Sequence, residues 1–287
     1  MVISYRTAVT PLLGPLANKL AEGFAKSNQG CFLWATSAIL REFSEDREYV
    51  EQSITDNIYA FFEAQATNVL RTMSNIPPND LPDVIEDFYR LLVDALLYYP
   101  TRLIPSSLLT PIFQAAISAL TLEKQEPVSA ALHYIRDLLT YGGPNPATSN
   151  SNLGSASQQL QQIVKNLLLA QGEALVKQTL AGMMITFPRD CFADGSGVLL
   201  SMFELLPAET TQWVDRTIRL LPEGTVTPAE ADRLLTKIKE KLRGPDPSHL
   251  RQIRVLLQDF TNQYRRRYVA PRDGLGALEA AKFHFSG

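Results

Sequence analysis

The chain has 287 residues, 45% of them apolar and 20% charged, with a formal net charge of −3. These proportions allow a buried core and exclude disorder throughout, and the faint acidic balance gives no ground for broad nucleic-acid affinity. The two cysteines, Cys31 and Cys191, are far apart in apolar surroundings, which argues against a disulfide framework and for a reducing compartment.

The first residues, Met1 to Arg6, have a short apolar stretch with no basic segment before it, and Pro11 and Pro15 follow soon after. This is not the pattern of a secretory signal. The segment reads as a half-apolar helical remnant running into a full helix with no polar terminal repeat to cover it, so Met1 is expected to be the edge of a larger stack. From Glu48 to Leu70, apolar residues Val50, Ile54, Ile58, Phe61, Phe62, Ala66, Val69 and Leu70 recur at helical spacing. Val84, Phe88, Leu91, Leu92, Ala95 and Leu96 repeat the pattern, as do Ala131, Leu132, Ile135, Leu138 and Leu139. Sustained strict alternation, the mark of a half-buried strand, is missing, and no apolar run approaches the roughly 20 residues that span a bilayer. The expected class is all-α.

Breaks divide the helices at regular intervals. They fall at 27–30, 76–80, 99–100, 126–127, 142–146, 187–188, 206–207, 221–227 and 244–247. Asp80, Ser129, Thr227 and Asp246 are candidate caps of the helices that follow. Taken in twos, the helices give about six antiparallel pairs at a spacing of about 40 to 47 residues, as in HEAT repeats. Each pair leaves an apolar face that only a neighbour can cover, so the expected architecture is a HEAT-type α-solenoid over residues 1–268. A compact bundle of the same helices is the alternative packing. The small, polar stretch around 143–157 reads as a loop, and 269–287 as a loosely held C-terminal tail.

Catalytic patterns are lacking. His133, His249 and His284 lie on separate elements with no metal-ligand spacing, and neither cysteine has a basic neighbour close in sequence. Gly195-Ser196-Gly197 is too short for a nucleophile elbow, and Gly274-x-Gly276 has no third glycine and no preceding strand. Acidic pairs such as Glu45-Asp46 and Glu86-Asp87 are read as solvated. No enzyme, cofactor or metal is expected. Two charged groups remain as contact candidates. Glu86, Asp87, Arg90 and Asp94 share one helix, with Arg90 and Asp94 spaced to pair with each other. Arg265-Arg266-Arg267 closes the last long helix, where it complements the helix dipole, or else serves as a nuclear signal or as a contact for an acidic partner.

Several stretches together resemble one family. Residues 31–40 (CFLWATSAIL), 110–122 (TPIFQAAISALTL), 133–139 (HYIRDLL) and 256–261 (LLQDFT) are similar, in that order, to the C-terminal part of the transportin-SR branch of the importin-β (karyopherin) nuclear import receptors. Residues 269–276 (VAPRDGLG) are similar to fungal members. The resemblance implies a ring-like HEAT solenoid that carries arginine/serine-rich RNA-binding proteins into the nucleus and releases them to Ran-GTP. It implies contact with nucleoporins, shuttling between nucleus and cytoplasm, and no direct contact with nucleic acid or membrane. This chain corresponds to about the last third of such a receptor. The arginine-rich helix that grips phosphorylated cargo would lie before and across Met1, with Arg6 as its remnant. Phosphoserines on a cargo would require arginines on inner helices, for which Arg102 and Arg136 are candidates; Glu86, Asp87 and Arg90 are candidates for contact with Ran or another partner. A HEAT scaffold that organises a complex without transport is the alternative.

Overall fold

The computed structural model describes residues 6–44, 50–146, 153–244 and 248–269. The loop at 147–152, the tail from 270 onward, Glu45-Asp46 and the Asp246 cap therefore lie outside the described residues, and so does the side chain of Arg6. Twelve α-helices and no strand occur among the described residues. A 3-10 turn, Arg6–Leu12, leads into α1 (Leu13–Ser27), followed by α2 (Cys31–Glu42), α3 (Gln52–Asn75), α4 (Pro82–Tyr98), the single turn α5 (Pro100–Leu103), α6 (Leu109–Ala119) and α7 (Gln125–Thr140). Then come α8 (Ala156–Ala181), α9 (Phe192–Leu205), α10 (Pro207–Arg219), α11 (Pro228–Arg243) and α12 (His249–Tyr268). The chain divides into two compact units, Met1–Gly172 and Glu173–Gly287.

In the first unit, consecutive helices pair as α1 with α2, α3 with α4 and α6 with α7. The pairs stack in register, so α1, α3 and α6 form one row and α2, α4 and α7 the other. The stripe foreseen on α4 is the centre of this packing: Val84, Phe88, Leu91, Leu92, Ala95 and Leu96 are all buried, and Ile85 joins them. Side chains at three- and four-residue spacing keep one face of α4 inward, which leaves the opposite face of its row open.

Proline sets where helices begin. Pro82, Pro100, Pro207 and Pro228 each occupy the first turn of a helix, where the missing N–H has no partner to lose. α1 stops because Asn28 turns left-handed (φ 51°) and returns its N–H to Phe24 O at 2.8 Å. The caps follow the sequence reading only in part. Thr227 caps α11 in a full capping box with Glu230, whereas Asp80 sits in a 3-10 turn ahead of α4 and Ser129 lies within α7. At α4, Pro82 in the first turn supplies the entry geometry that a side-chain cap otherwise provides, and α7 begins at Gln125, four residues ahead of Ser129.

Buried tyrosine hydroxyls bind successive helices of the α2–α4–α7 row to one another. Tyr99 donates to Phe43 O at 2.8 Å, and Tyr141 donates to Leu96 O at 2.6 Å. The carbonyl of Leu96 would ordinarily receive the N–H of residue 100, which is a proline, so the α7 hydroxyl replaces the donor that the α4 terminus lacks.

In the second unit, α12 packs on α9 and α11, and α10 packs on α9 and α11. Just before this group, Gly182–Thr186 winds as a π-helical turn. A methyl group at Gly182 would meet the Phe187 ring at 2.2 Å, and one at Gly195 would lie 3.3 Å from the same ring. Both glycines therefore make room for a buried aromatic side chain.

Candidate functional site

The row α2–α4–α7 presents its open face as a shallow groove of about 580 Å³, lined in part by Trp34, Arg41, Arg90, Asp94, Arg136 and Asp137. At the N-terminal ends of α2 and α4 lies an adjoining depression of about 570 Å³, shared through Arg90 and lined by Asp80, Asp83, Glu86 and Asp87. Helical spacing produces this face. Trp34, Ser37 and Arg41 follow one another at three and four residues on α2; Glu86, Arg90 and Asp94 do so on α4; Glu126, Ser129, His133 and Arg136 do so on α7.

Charge is unevenly distributed along it. Arg90 reaches back to Glu86 with 2.6 Å between Nη2 and Oε1. It does not pair with Asp94, as its spacing suggested. Asp94 instead turns across to α2, accepts a hydrogen bond from the Ser37 hydroxyl and lies 3.5 Å from Arg41 Nε. A side chain of α4 leans toward the helix N-terminus, so Arg90 finds Glu86 more readily than Asp94. Glu86 and Asp87, expected to be solvated, are half-buried. Burial pushes both above the usual carboxylate range against the pull of Arg90, with Asp83 adding repulsion to each and Glu126 to Glu86. Asp94 and Asp137 are also raised, chiefly by burial, with Arg41 and with Arg136 and His133 respectively acting in the other direction. Trp34, by contrast, is 61% exposed, an unusual place for an indole. The face therefore combines under-neutralised carboxylates, three arginines and an exposed aromatic plane.

The structure brings Glu86, Asp87, Arg90 and Arg136 onto this one face. Arg102 is elsewhere. From α5 it holds Asp56 of α3 at 2.6 Å, and its guanidinium lies 5.4 Å from the centre of the Tyr59 ring, so it ties two elements of the fold together. Sequence reasoning did not single out Trp34, Arg41 or Asp137 as site residues, and named Asp94 only within the charged group on its helix. The available signal was an aromatic residue and an arginine seven positions apart on α2, the separation of two helical turns. Cys31 is exposed and lines the acidic depression, and Cys191 is fully buried. Among the described residues no group of histidine, cysteine and carboxylate side chains could hold a metal ion, and no helix is long and apolar enough to cross a membrane.

Fold and face together define an α-helical repeat chain whose first unit carries an open, charged surface. No family model matches it. Among curated proteins it is 32% identical over 275 residues to an uncharacterized protein of Schizosaccharomyces pombe, covering 94% of this chain and 28% of the relative. It is 22% identical over 276 residues to the mRNA transport regulator MTR10 of Saccharomyces cerevisiae, covering 91% of this chain and 28% of that protein. Among solved structures, importin-13 in its cytosolic state superposes with a TM-score of 0.70 at 14% identity, over 92% of this chain and 27% of that one. The fold is thus that of a HEAT-repeat solenoid. The homologues of this chain are karyopherins, as the resemblance seen in the sequence implies. It spans about 28% of the length of the curated relatives quoted.

Proposed function

We propose that this chain is the cargo-side, C-terminal segment of a nuclear import receptor, and that the open face of α2, α4 and α7 holds arginine/serine-rich RNA-binding proteins. The observation that carries the reading is the alternation of charge on that face. A phosphorylated arginine/serine segment alternates guanidinium groups with phosphates. Asp94, Asp137 and the Asp83–Asp87 region offer carboxylates to the former, while Arg41, Arg90 and Arg136 offer cations to the latter. Trp34 supplies a plane on which a guanidinium can stack, worth about 0.5–1 kcal/mol at an exposed site. Arg102, engaged with Asp56, serves the fold and drops out of the cargo set.

The same reading makes the complete receptor a carrier that shuttles between nucleus and cytoplasm, passes nucleoporins and gives up its cargo to Ran-GTP, without catalysis. Relatives named for transport support it, and so does an open face with no convergent catalytic group. The test is a titration of a phosphorylated arginine/serine peptide, and of its unphosphorylated form, against this chain, a Trp34→Ala variant and an Arg90→Glu variant. Preference for the phosphorylated peptide, weakened by both substitutions, supports the reading. Equal binding of the two peptides, or indifference to both substitutions, overturns the cargo assignment and leaves a HEAT scaffold without transport.

A further inference from the structure

Charge in this chain is segregated. α11 and α12 together carry ten lysines and arginines against four aspartates and glutamates, in a chain whose formal charge is −3. Between the two helices runs a cleft of about 280 Å³. Its floor is apolar, made by Leu234 and the ring of Tyr264, both buried, with Leu256 and Phe260 half-buried beside them. Arg233 and Lys237, one helical turn apart and both exposed, stand on the α11 rim. Among the described residues neither is engaged in a hydrogen bond or ion pair. Arg267 closes one end, held by Glu230 at 2.7 Å, and Asp259 is the other carboxylate of the lining. The Arg265-Arg266-Arg267 run thus separates by role: Arg265 is buried over the Phe192 ring, 5.0 Å from its centre, Arg267 braces the cleft, and Arg266 faces solvent. Complementing the helix dipole accounts for Lys241 and Arg243 in the last turn of α11 but not for Arg233 and Lys237, which lie ahead of that turn.

We infer that the α11–α12 cleft is a docking surface for an acidic protein segment that places one aromatic or aliphatic anchor on Leu256 and Phe260 and sets carboxylates against Arg233 and Lys237. The apolar floor specifies an anchor side chain, which a purely electrostatic surface does not need. The unengaged cations select its flanking charge and speed encounter. A polyanion such as RNA uses the cations but leaves the floor uncovered, which favours a peptide. The cleft belongs to the second unit and is independent of the cargo face proposed above.

The experiment is a fluorescence-anisotropy titration of the whole chain with a short glutamate-rich peptide carrying one central phenylalanine. Its comparators are the same peptide with serine at the centre, a lysine-rich counterpart, a single-stranded RNA oligonucleotide and vesicles containing phosphatidylserine. The acidic phenylalanine peptide is expected to bind most tightly, to weaken on the order of tenfold in the Arg233→Glu/Lys237→Glu variant, and to weaken as salt rises. Both positions are exposed, so the variant folds, and circular dichroism checks this. Equal binding of glutamate and lysine peptides overturns the inference. So does an unchanged affinity in the double variant, or tighter binding of RNA or vesicles that the acidic peptide fails to displace.

Discussion

Replacing Tyr141 with phenylalanine removes one oxygen and nothing else, and it tests what fixes α4 against α7. That register decides whether Arg90 and Arg136 lie on one face. The Tyr141 hydroxyl donates to Leu96 O at 2.6 Å, and both residues are 1% exposed, so water cannot take over the bond. Pro100 has no N–H to offer that carbonyl. A buried acceptor left without a donor costs about 1–3 kcal/mol. In a domain of this size each kcal/mol moves the melting temperature by about 2–4 °C, so a loss of about 2 kcal/mol lowers it by about 4–8 °C. Tyr134, on the same helix, supplies the control: its hydroxyl is buried with no hydrogen-bond partner among the described residues. Tyr134→Phe is therefore expected to be neutral or stabilising, because it removes a desolvated group that gains nothing. Thermal unfolding of both variants, with hydrogen exchange on α4 and α7 to locate the effect, decides the matter. If Tyr141→Phe costs under about 0.5 kcal/mol, or as little as Tyr134→Phe, the carbonyl has another donor and the reasoning fails.

Other consequences follow from particular contacts. A methyl group at Gly30 would lie 2.4 Å from Asp87 Oδ2 and 2.7 Å from the backbone oxygen of Asp83, which cannot swing aside. Gly30→Ala is thus expected to push the N-terminal ends of α2 and α4 apart and to cost about 1–3 kcal/mol in denaturant unfolding; wild-type stability would mean the two ends can part freely. Thr227→Ala removes the side-chain half of the α11 capping box, in which Thr227 Oγ1 accepts from the Glu230 N–H at 3.2 Å, and leaves the backbone N–H at 227 donating to the Glu230 carboxylate. It should cost about 1 kcal/mol, with exchange rising in the first turn of α11 and leaving the first unit unaffected. Acidity separates the two units. Glu86, Asp87, Asp94 and Asp137 have raised pKa values in the fold, so their contribution to stability is full below the ordinary carboxylate range and is lost as pH rises through their folded values. The first unit should therefore be more resistant to denaturant at pH 5 than at pH 7, and Asp94→Asn/Asp137→Asn should flatten that dependence. Glu230 runs the other way. Hydrogen bonds from Arg267 and Thr227 hold it down at about 2, so its contribution, small because it is solvent-screened, is present at neutral pH and is lost as pH falls from 4.5 toward 2.

The helical class, the positions of most breaks and the pairing of helices were legible in the sequence because they depend on local chemistry. Apolar spacing on α4 and α7 fixes which side turns inward, and proline at 82, 100, 207 and 228 fixes where chains re-enter a helix whatever surrounds them. The order of short motifs pointed to karyopherins for the same reason, since core-facing residues such as Leu33, Phe113 and Leu139 are read in sequence before they are seen packed. Partner choice was not legible. Arg90 could have paired with Asp94 by spacing, and only the neighbouring α2, with Ser37 and Arg41, draws Asp94 away. Arg102 and Arg136 looked alike as cargo-contact candidates until the tertiary fold set one against Asp56 and placed the other on the open face. Exposure of Trp34 and burial of Glu86 are likewise decided by which helices stack beside them. A sequence states what each helix must hide; the stacking of one helix on another decides which of the remaining charges stay free to meet a partner.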